Sequence, residues 1–152
     1  MAKLPIITIV EENVLACSQE PVFASMPLSQ YNSVAADETE LPAVLLDRHM
    51  SFVDKTHAQG SNTTTWQMVV YVFTSQQEIL APQDPKEEHI LEAYEIMREL
   101  KNRLQNDSRV KSLTASSQGD EILNNKKVDR NLIGLWFGLE LTIDDISSIC
   151  LT

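Results

Sequence analysis

Glycine, cysteine, histidine and positive charge are all scarce in this chain, and each scarcity removes a class of function. Four glycines in 152 residues leave little material for a phosphate-cradling loop. No glycine-rich spacing of that kind and no Gly-x-Ser-x-Gly elbow occurs. The two cysteines, Cys17 and Cys150, sit near opposite ends with no Cys-x-x-Cys and no neighbouring histidine. A disulfide framework is therefore ruled out. A single bridge between the termini is the less simple reading, and a reduced, cytosolic assembly environment the simpler one. His49, His57 and His89 fall on a strand, a loop and a helix start, and none shares i, i+4 spacing with another ligand, which argues against a metal site. With 12 Lys and Arg against 22 Asp and Glu, the net charge is −10. A nucleic-acid grip needs a basic surface that releases counterions, so this balance argues against one. The N-terminal apolar patch is broken by Pro5 and stopped by Glu11. It is too short for a membrane span and lacks a signal-peptide cleavage pattern, so the chain reads as neither exported nor anchored.

What the chain does have is the composition of an ordinary globular domain, 43% apolar and 22% charged. A single domain of this length buries roughly 70% of the surface its unfolded chain would expose. Its strongest signal is the run Leu132 to Ile143. There Ile133, Leu135, Phe137, Leu139, Leu141 and Ile143 take alternate positions, while Gly134, Trp136, Gly138, Glu140 and Thr142 take the other face. That period of two predicts a strand with one apolar face, in a sheet covered on one side by helices.

Upstream, residues 42–53 read as a strand with Val44, Leu46, Met50 and Phe52 on one face. A polar loop at 54–62 follows. Residues 63–74 then form a strand apolar on both faces: Trp66, Met68, Val70 and Val72 on one, Val69, Tyr71 and Phe73 on the other. Such a strand is central, and the two runs make a hairpin with a long polar tip. The helix that follows opens on an Asp84-Pro85-x-Glu87 capping box and carries Ile90, Tyr94, Met97, Leu100 and Leu104 at helical spacing, supported by Leu91 and Ala93. Glu99 and Arg103 form an i, i+4 pair, and Asn106 and Asp107 end the helix. Residues 110–114 and 120–124 read as one bent strand or two short ones, and 124–131 as a charged turn. In the first 40 residues, Ile6, Ile7, Val10 and Val14 suit a short amphipathic helix. The β-branched run 6–10 equally suits a strand. Pro21, Ser25, Pro27, Ser29, Asn32 and Ser33 then break regular structure. The expectation is an α+β protein: an N-terminal arm or short helix over 1–40 that contacts partners, then a domain over 41–152. That domain has a mainly antiparallel sheet of four or more strands, in the order β-β-α-β-β, covered by one long helix.

Glu140, Asp144 and Asp145 could be imagined as a Mg²⁺ cluster, but adjacent aspartates at a strand end read more simply as a solvated turn. No catalytic residue, cofactor or metal is expected. The candidate interface residues are His57, Gln59 and Asn62 at the hairpin tip, Trp66 and Trp136 as aromatic anchors, and the basic cluster Lys126, Lys127 and Arg130. For the tryptophans core packing is the plainer reading, and for the basic cluster and the tip a solvated turn.

Several runs together carry a resemblance. They are the opening Leu41-Pro42-Ala43-Val44, the strand Thr65-Trp66-Gln67-Met68-Val69-Val70-Tyr71-Val72-Phe73, and the helix run Ile96-Met97-Arg98-Glu99-Leu100 continuing to Arg103-Leu104-Gln105-Asn106-Asp107. The last is the closing Val128-Asp129-Arg130-Asn131-Leu132-Ile133-Gly134-Leu135. Over roughly residues 41 to 150 the chain resembles the small neck and tail-terminator-like proteins of tailed bacteriophages, in a version from phages of gut bacteroidete hosts. The first 40 residues depart from that family's short leading helix. The resemblance implies a virion protein assembled in the host cytoplasm into a homo-oligomeric ring, six- or twelve-fold. The ring would join portal or connector to tail, touching neighbouring portal, neck or tail proteins but no membrane. DNA would pass without sequence-specific binding during genome ejection, and an acidic channel wall suits that by repelling phosphate. Two other readings stand beside it: a small intracellular ferredoxin-like adaptor with no viral role, and a hydrolase using Glu140, Asp144 and Asp145.

Overall fold

The computed structural model describes residues 4–27, 31, 40–47, 50–56, 62–76, 87–123 and 132–144. For 75–76, 87–88, 116–123 and 132–133 the backbone alone is described. The capping box at 84–87, the charged turn at 124–131 and the hairpin tip at 57–61 lie outside the described residues, apart from the backbone of Glu87.

The chain folds as α+β. Its elements in order are α1 (Pro5–Leu15), β1 (Val22–Ser25), β2 (Ala43–Leu46), β3 (Ser51–Thr56), β4 (Asn62–Gln76), α2 (Glu87–Asn106), β5 (Val110–Leu123) and β6 (Leu132–Asp144). The six strands form one mixed sheet in the order β1-β2-β4-β6-β5, with β3 also pairing β4. β1 runs parallel to β2, and every other pairing is antiparallel.

The alternation in β6 has the meaning its pattern implied. Leu135, Phe137, Leu139, Leu141 and Ile143 are all buried, and they share a core with Met68, Val70 and Val72 of β4 and Val44 and Leu46 of β2. Val69, Tyr71, Phe73 and Trp136 gather on the opposite face with Tyr31 and Leu45. Thus β4 is buried on both faces and central, flanked along its whole length by β6.

Among the described residues two helices, rather than one, cover the main core. Ile6, Ile9, Val10 and Val14 of α1 are at most 1% exposed and belong to the same cluster as Ala93, Ile96, Met97, Leu100 and Leu104 of α2. Helix α1 thus shares a core with the segment that follows residue 41. The ambiguity between helix and strand resolves to helix because residues 6, 9–10 and 14 recur once per turn. Packing that stripe outweighs the modest cost of helical β-branched residues, a few tenths of a kcal/mol each. Pro5, in the first turn, forfeits an N–H that the helix would leave unpaired anyway.

The order from residue 41 is β-β-β-α-β-β, because the run read as a single strand over 42–53 is broken. Leu46 pairs with Val70, but Ser51 pairs with Gln67. Five steps on one strand oppose three on the other, so two extra residues are inserted between β2 and β3. Val44 and Leu46 keep the inward face and Met50 packs at its margin. Phe52 stays on that side yet is 57% exposed, because it lies beyond the helices' cover. β1 occupies a stretch where Pro21 and Ser25 suggested irregular chain. Its four residues gain their order from pairing with β2, a partner some twenty residues downstream. β5 is one strand whose pairing with β6 shifts register twice, between Val110 and Ser112 and between Ser116 and Glu121.

Candidate interaction surface

Residues proposed from sequence divide between opposite faces of the sheet. Trp66 is half-buried at the edge of the main core, with the Phe52 ring 5.0 Å away on the neighbouring strand. Trp136 is half-buried on the other face, across the ladder from Tyr71 and close to the Tyr31–Phe73 stack, whose centroids are 5.5 Å apart. The two tryptophans therefore form no joint site. Asn62 begins β4 opposite Thr56, and its buried Oδ1 accepts no hydrogen bond from the described residues. His57, Gln59, Lys126, Lys127 and Arg130 lie outside the described residues, as do His49, Asp145 and Cys150.

The surface that stands out is the β3–β4 ribbon. All six residues of β3 are exposed, with Phe52 at 57% and Val53 at 65% on opposite faces. Side-chain bonds from Thr64 Oγ1 to Asp54 (2.7 Å) and from Ser51 Oγ to Gln67 (3.2 Å) hold β3 on its partner. Sequence reading placed Phe52 on one face with Val44, Leu46 and Met50, and its parity is right. What parity could not show is where the covering helices stop. On α2, similarly, Leu91 and Tyr94 face outward at 58% and 44% exposure, while Ile96, not singled out, is buried. Tyr94 instead carries the Arg98 guanidinium 5.7 Å from its ring centre.

The uncovered part of the second sheet face is polar. Thr65 and Thr142 hydroxyls bond at 2.8 Å. Beside them Gln67, Met68, Thr114, Gly138, Leu139 and Glu140 line a shallow hollow of about 190 Å³. At the end of β6, Asp144 pairs with Lys111 at 3.4 Å between two exposed side chains, a contact worth at most about 1 kcal/mol. Among the described residues no three His, Cys, Asp or Glu side chains form a group able to hold a metal. Among the same residues no helix is long and apolar enough to cross a membrane.

A polar knot ties α1 to the turn between α2 and β5. Arg109 donates to Asp107 through its backbone N–H (2.9 Å), Nε (3.0 Å) and Nη2 (2.8 Å), and Asn13 Nδ2 donates at 2.9 Å. Arg109 Nη1 also meets Glu12 at 2.7 Å. The Arg109 hydrogen bonds, opposed by burial and joined by Asn13, hold the Asp107 carboxyl far below the usual carboxylate range. A carboxyl lowered in the folded state stabilises the fold above its unfolded value near 3.9 and loses that contribution as pH falls towards its folded value. Asp107→Asn should therefore cost about 1–3 kcal/mol at neutral pH. Its deficit against the parent should shrink steadily below pH 4 in urea titrations, and a deficit constant down to pH 2 would contradict the assignment.

Further along, Ser18 N–H donates to Glu99 Oε2 at 2.7 Å, and Gln19 Nε2 donates to Glu95 at 3.1 Å. The chain after α1 thus runs along α2 in the opposite sense. Cys17 is buried there, its thiol donating to the Asn13 carbonyl at 3.5 Å. Burial, aided by nearby Glu99, pushes that thiol up to about 12. It is an apolar filler and a poor nucleophile.

The sequence matches no protein-family model and no curated protein.

Proposed function

We infer that this protein is a non-catalytic building block that forms a homo-oligomeric ring in the neck or tail of a tailed phage. In that ring it joins portal or connector to tail around the DNA exit channel. The observation that carries the reading is the β3–β4 ribbon: an edge strand exposed along its whole length, with two large apolar side chains in water. Soluble proteins blunt such edges with charge, proline or a covering element, because an open edge templates pairing with another chain. Here one side of the sheet is filled by helices, and the edge beyond them is left for a neighbour. The charge balance of −10 fits a surface past which DNA slides without adhering. The likeness of residues 41 to 150 to the phage neck and terminator proteins points the same way.

Cryo-electron microscopy of the parent particle tests this directly. The expected result is a ring of this chain between portal and tail. A particle that lacks the chain ends the reading. In solution, light scattering behind size exclusion should show a mass of several protomers that rises with concentration.

A further inference from the structure

We propose that the hollow over Gly138, on the sheet face turned away from the helices, is a binding site for a neutral polyol: one ring of a saccharide. The site goes beyond the ring reading and does not depend on it.

The register of three strands makes the hollow. Gln67 of β4, Glu140 of β6 and Thr114 of β5 stand in one row across the sheet, and all three are exposed. Neighbouring strands lie roughly 4.8 Å apart, so the row is two such steps wide. In the next row on the same face Gly138 stands opposite Val69 and offers no side chain. Met68 and Leu139 turn their side chains into the main core and reach the hollow through their backbone. The result is a concave patch of about 190 Å³ with Gly138 in its floor and three polar groups on its rim. Sites for drug-sized ligands run to roughly 300–1,000 Å³, so this one suits a single small ring.

The rim groups keep bonding capacity that their surroundings do not use. Ser51 Oγ donates to Gln67 Oε1 at 3.2 Å, which leaves the Gln67 amide N–H groups without an acceptor among the described residues. Among the same residues the Thr114 hydroxyl and the Glu140 carboxylate have neither hydrogen bond nor ion pair. Further along the face, by contrast, Thr65 and Thr142 satisfy each other at 2.8 Å and Asp144 is held by Lys111. The free groups select by their mixture: donors at Gln67, acceptors at Glu140, and at Thr114 a hydroxyl that does both. An anion is repelled by Glu140 in a protein of net charge −10. An ammonium is all donor; it gains an exposed ion pair with Glu140, which water and salt weaken, and meets the Gln67 N–H groups as like to like. A peptide group carries one donor and one acceptor pointing opposite ways, and so addresses two of the three at most. A saccharide ring carries neighbouring hydroxyls, each donor and acceptor, on a rigid edge, and its C–H face can rest on the glycine floor.

Nuclear magnetic resonance of the isotope-labelled full-length protein tests the site, with glucose, galactose, mannose and N-acetylglucosamine each added through the millimolar range. The expected result is saturable movement of the Met68, Thr114, Gly138, Leu139 and Glu140 amide signals with at least one sugar, unchanged by added salt because the ligand is neutral. Gly138→Val fills the hollow and should weaken that binding by about tenfold or more, the equivalent of one good hydrogen-bonding contact or greater. Thr114→Val, at an exposed position, should weaken it several-fold while the rest of the spectrum stays in place. Flat titrations with all four sugars overturn the proposal. So do shifts given by butylamine or N-methylacetamide that no sugar reproduces, which would assign the hollow to a cation or a peptide group. Sugar-induced shifts that persist undiminished in both variants place the ligand elsewhere and overturn it too.

Discussion

Replacing Gly134 with alanine is expected to cost about 3 kcal/mol or more, a large part of the roughly 5–15 kcal/mol that holds a domain of this size together. A Cβ on Gly134 would overlap the Val72 carbonyl oxygen and lie 2.8 Å from the Val72 carbonyl carbon and 2.9 Å from the Phe73 Cα. Every one of these atoms is backbone, so no rotamer change relieves the overlap; β4 and β6 must move apart. They meet here beside an irregularity. Phe73 pairs with Gly134 but Ser75 pairs with Ile133, so Thr74 is extra. Its hydroxyl turns away to bond the His89 carbonyl at 2.7 Å in the first turns of α2. The close approach thus sits where the sheet hands over to the helix that covers it. Urea titration with the slope held in common measures the loss, and a change under about 1 kcal/mol would show that the strands yield easily at this point.

The second large effect is expected at Phe137. Its ring is fully buried, opposite Val70, in the middle of the main core. Removing an aromatic ring from such a site costs about 3–5 kcal/mol, the lost transfer energy plus the cavity left behind. Lys101 makes this position unusual: its Nζ lies 4.8 Å from the ring centre while its stem runs up from α2. Phe137→Leu keeps most of the volume and discards the π face, so it should cost about 1–2 kcal/mol, of which the cation contact supplies about half or more. Thermal melts of the two variants give the ranking. Equal losses for leucine and alanine would mean that the ring's electronic contact, and not its volume, dominates.

These elements were also the most legible in the sequence, and for one reason. Strands β4 and β6 carry long uninterrupted alternations, and each residue's face follows from parity alone. Where the outcome depended on distant partners, local pattern was weaker. β1 has four residues and exists by virtue of β2. The break between β2 and β3 leaves no mark in hydropathy, because an insertion of two preserves parity. Helix α2 was placed correctly at its C-terminal end by Asn106 and Asp107. Of its apolar stripe, Ala93, Met97, Leu100 and Leu104 are buried and Ile90 packs against the core, whereas Leu91 and Tyr94 face water. Of the candidate interface residues, Asn62, Trp66 and Trp136 could be placed. The exposed edge strand that carries Phe52 and Val53 was read only as the end of a longer strand, with Phe52 on its apolar face. An edge is a property of what fails to cover it, and composition does not record that.

The insertion between β2 and β3 has a consequence for how this protein can vary. Because the extra length is even, β3 presents Phe52 and Val53 to the same sides as an uninterrupted strand would. Homologues gaining or shedding residues there in twos would keep the same side chains on each face of the ribbon. A gain or loss of one would turn the ribbon over, putting Val53 where Phe52 belongs and sending the aromatic ring to the far side. Length drift in this short connection is thereby quantised, and a related chain with an odd difference would present other side chains on each face.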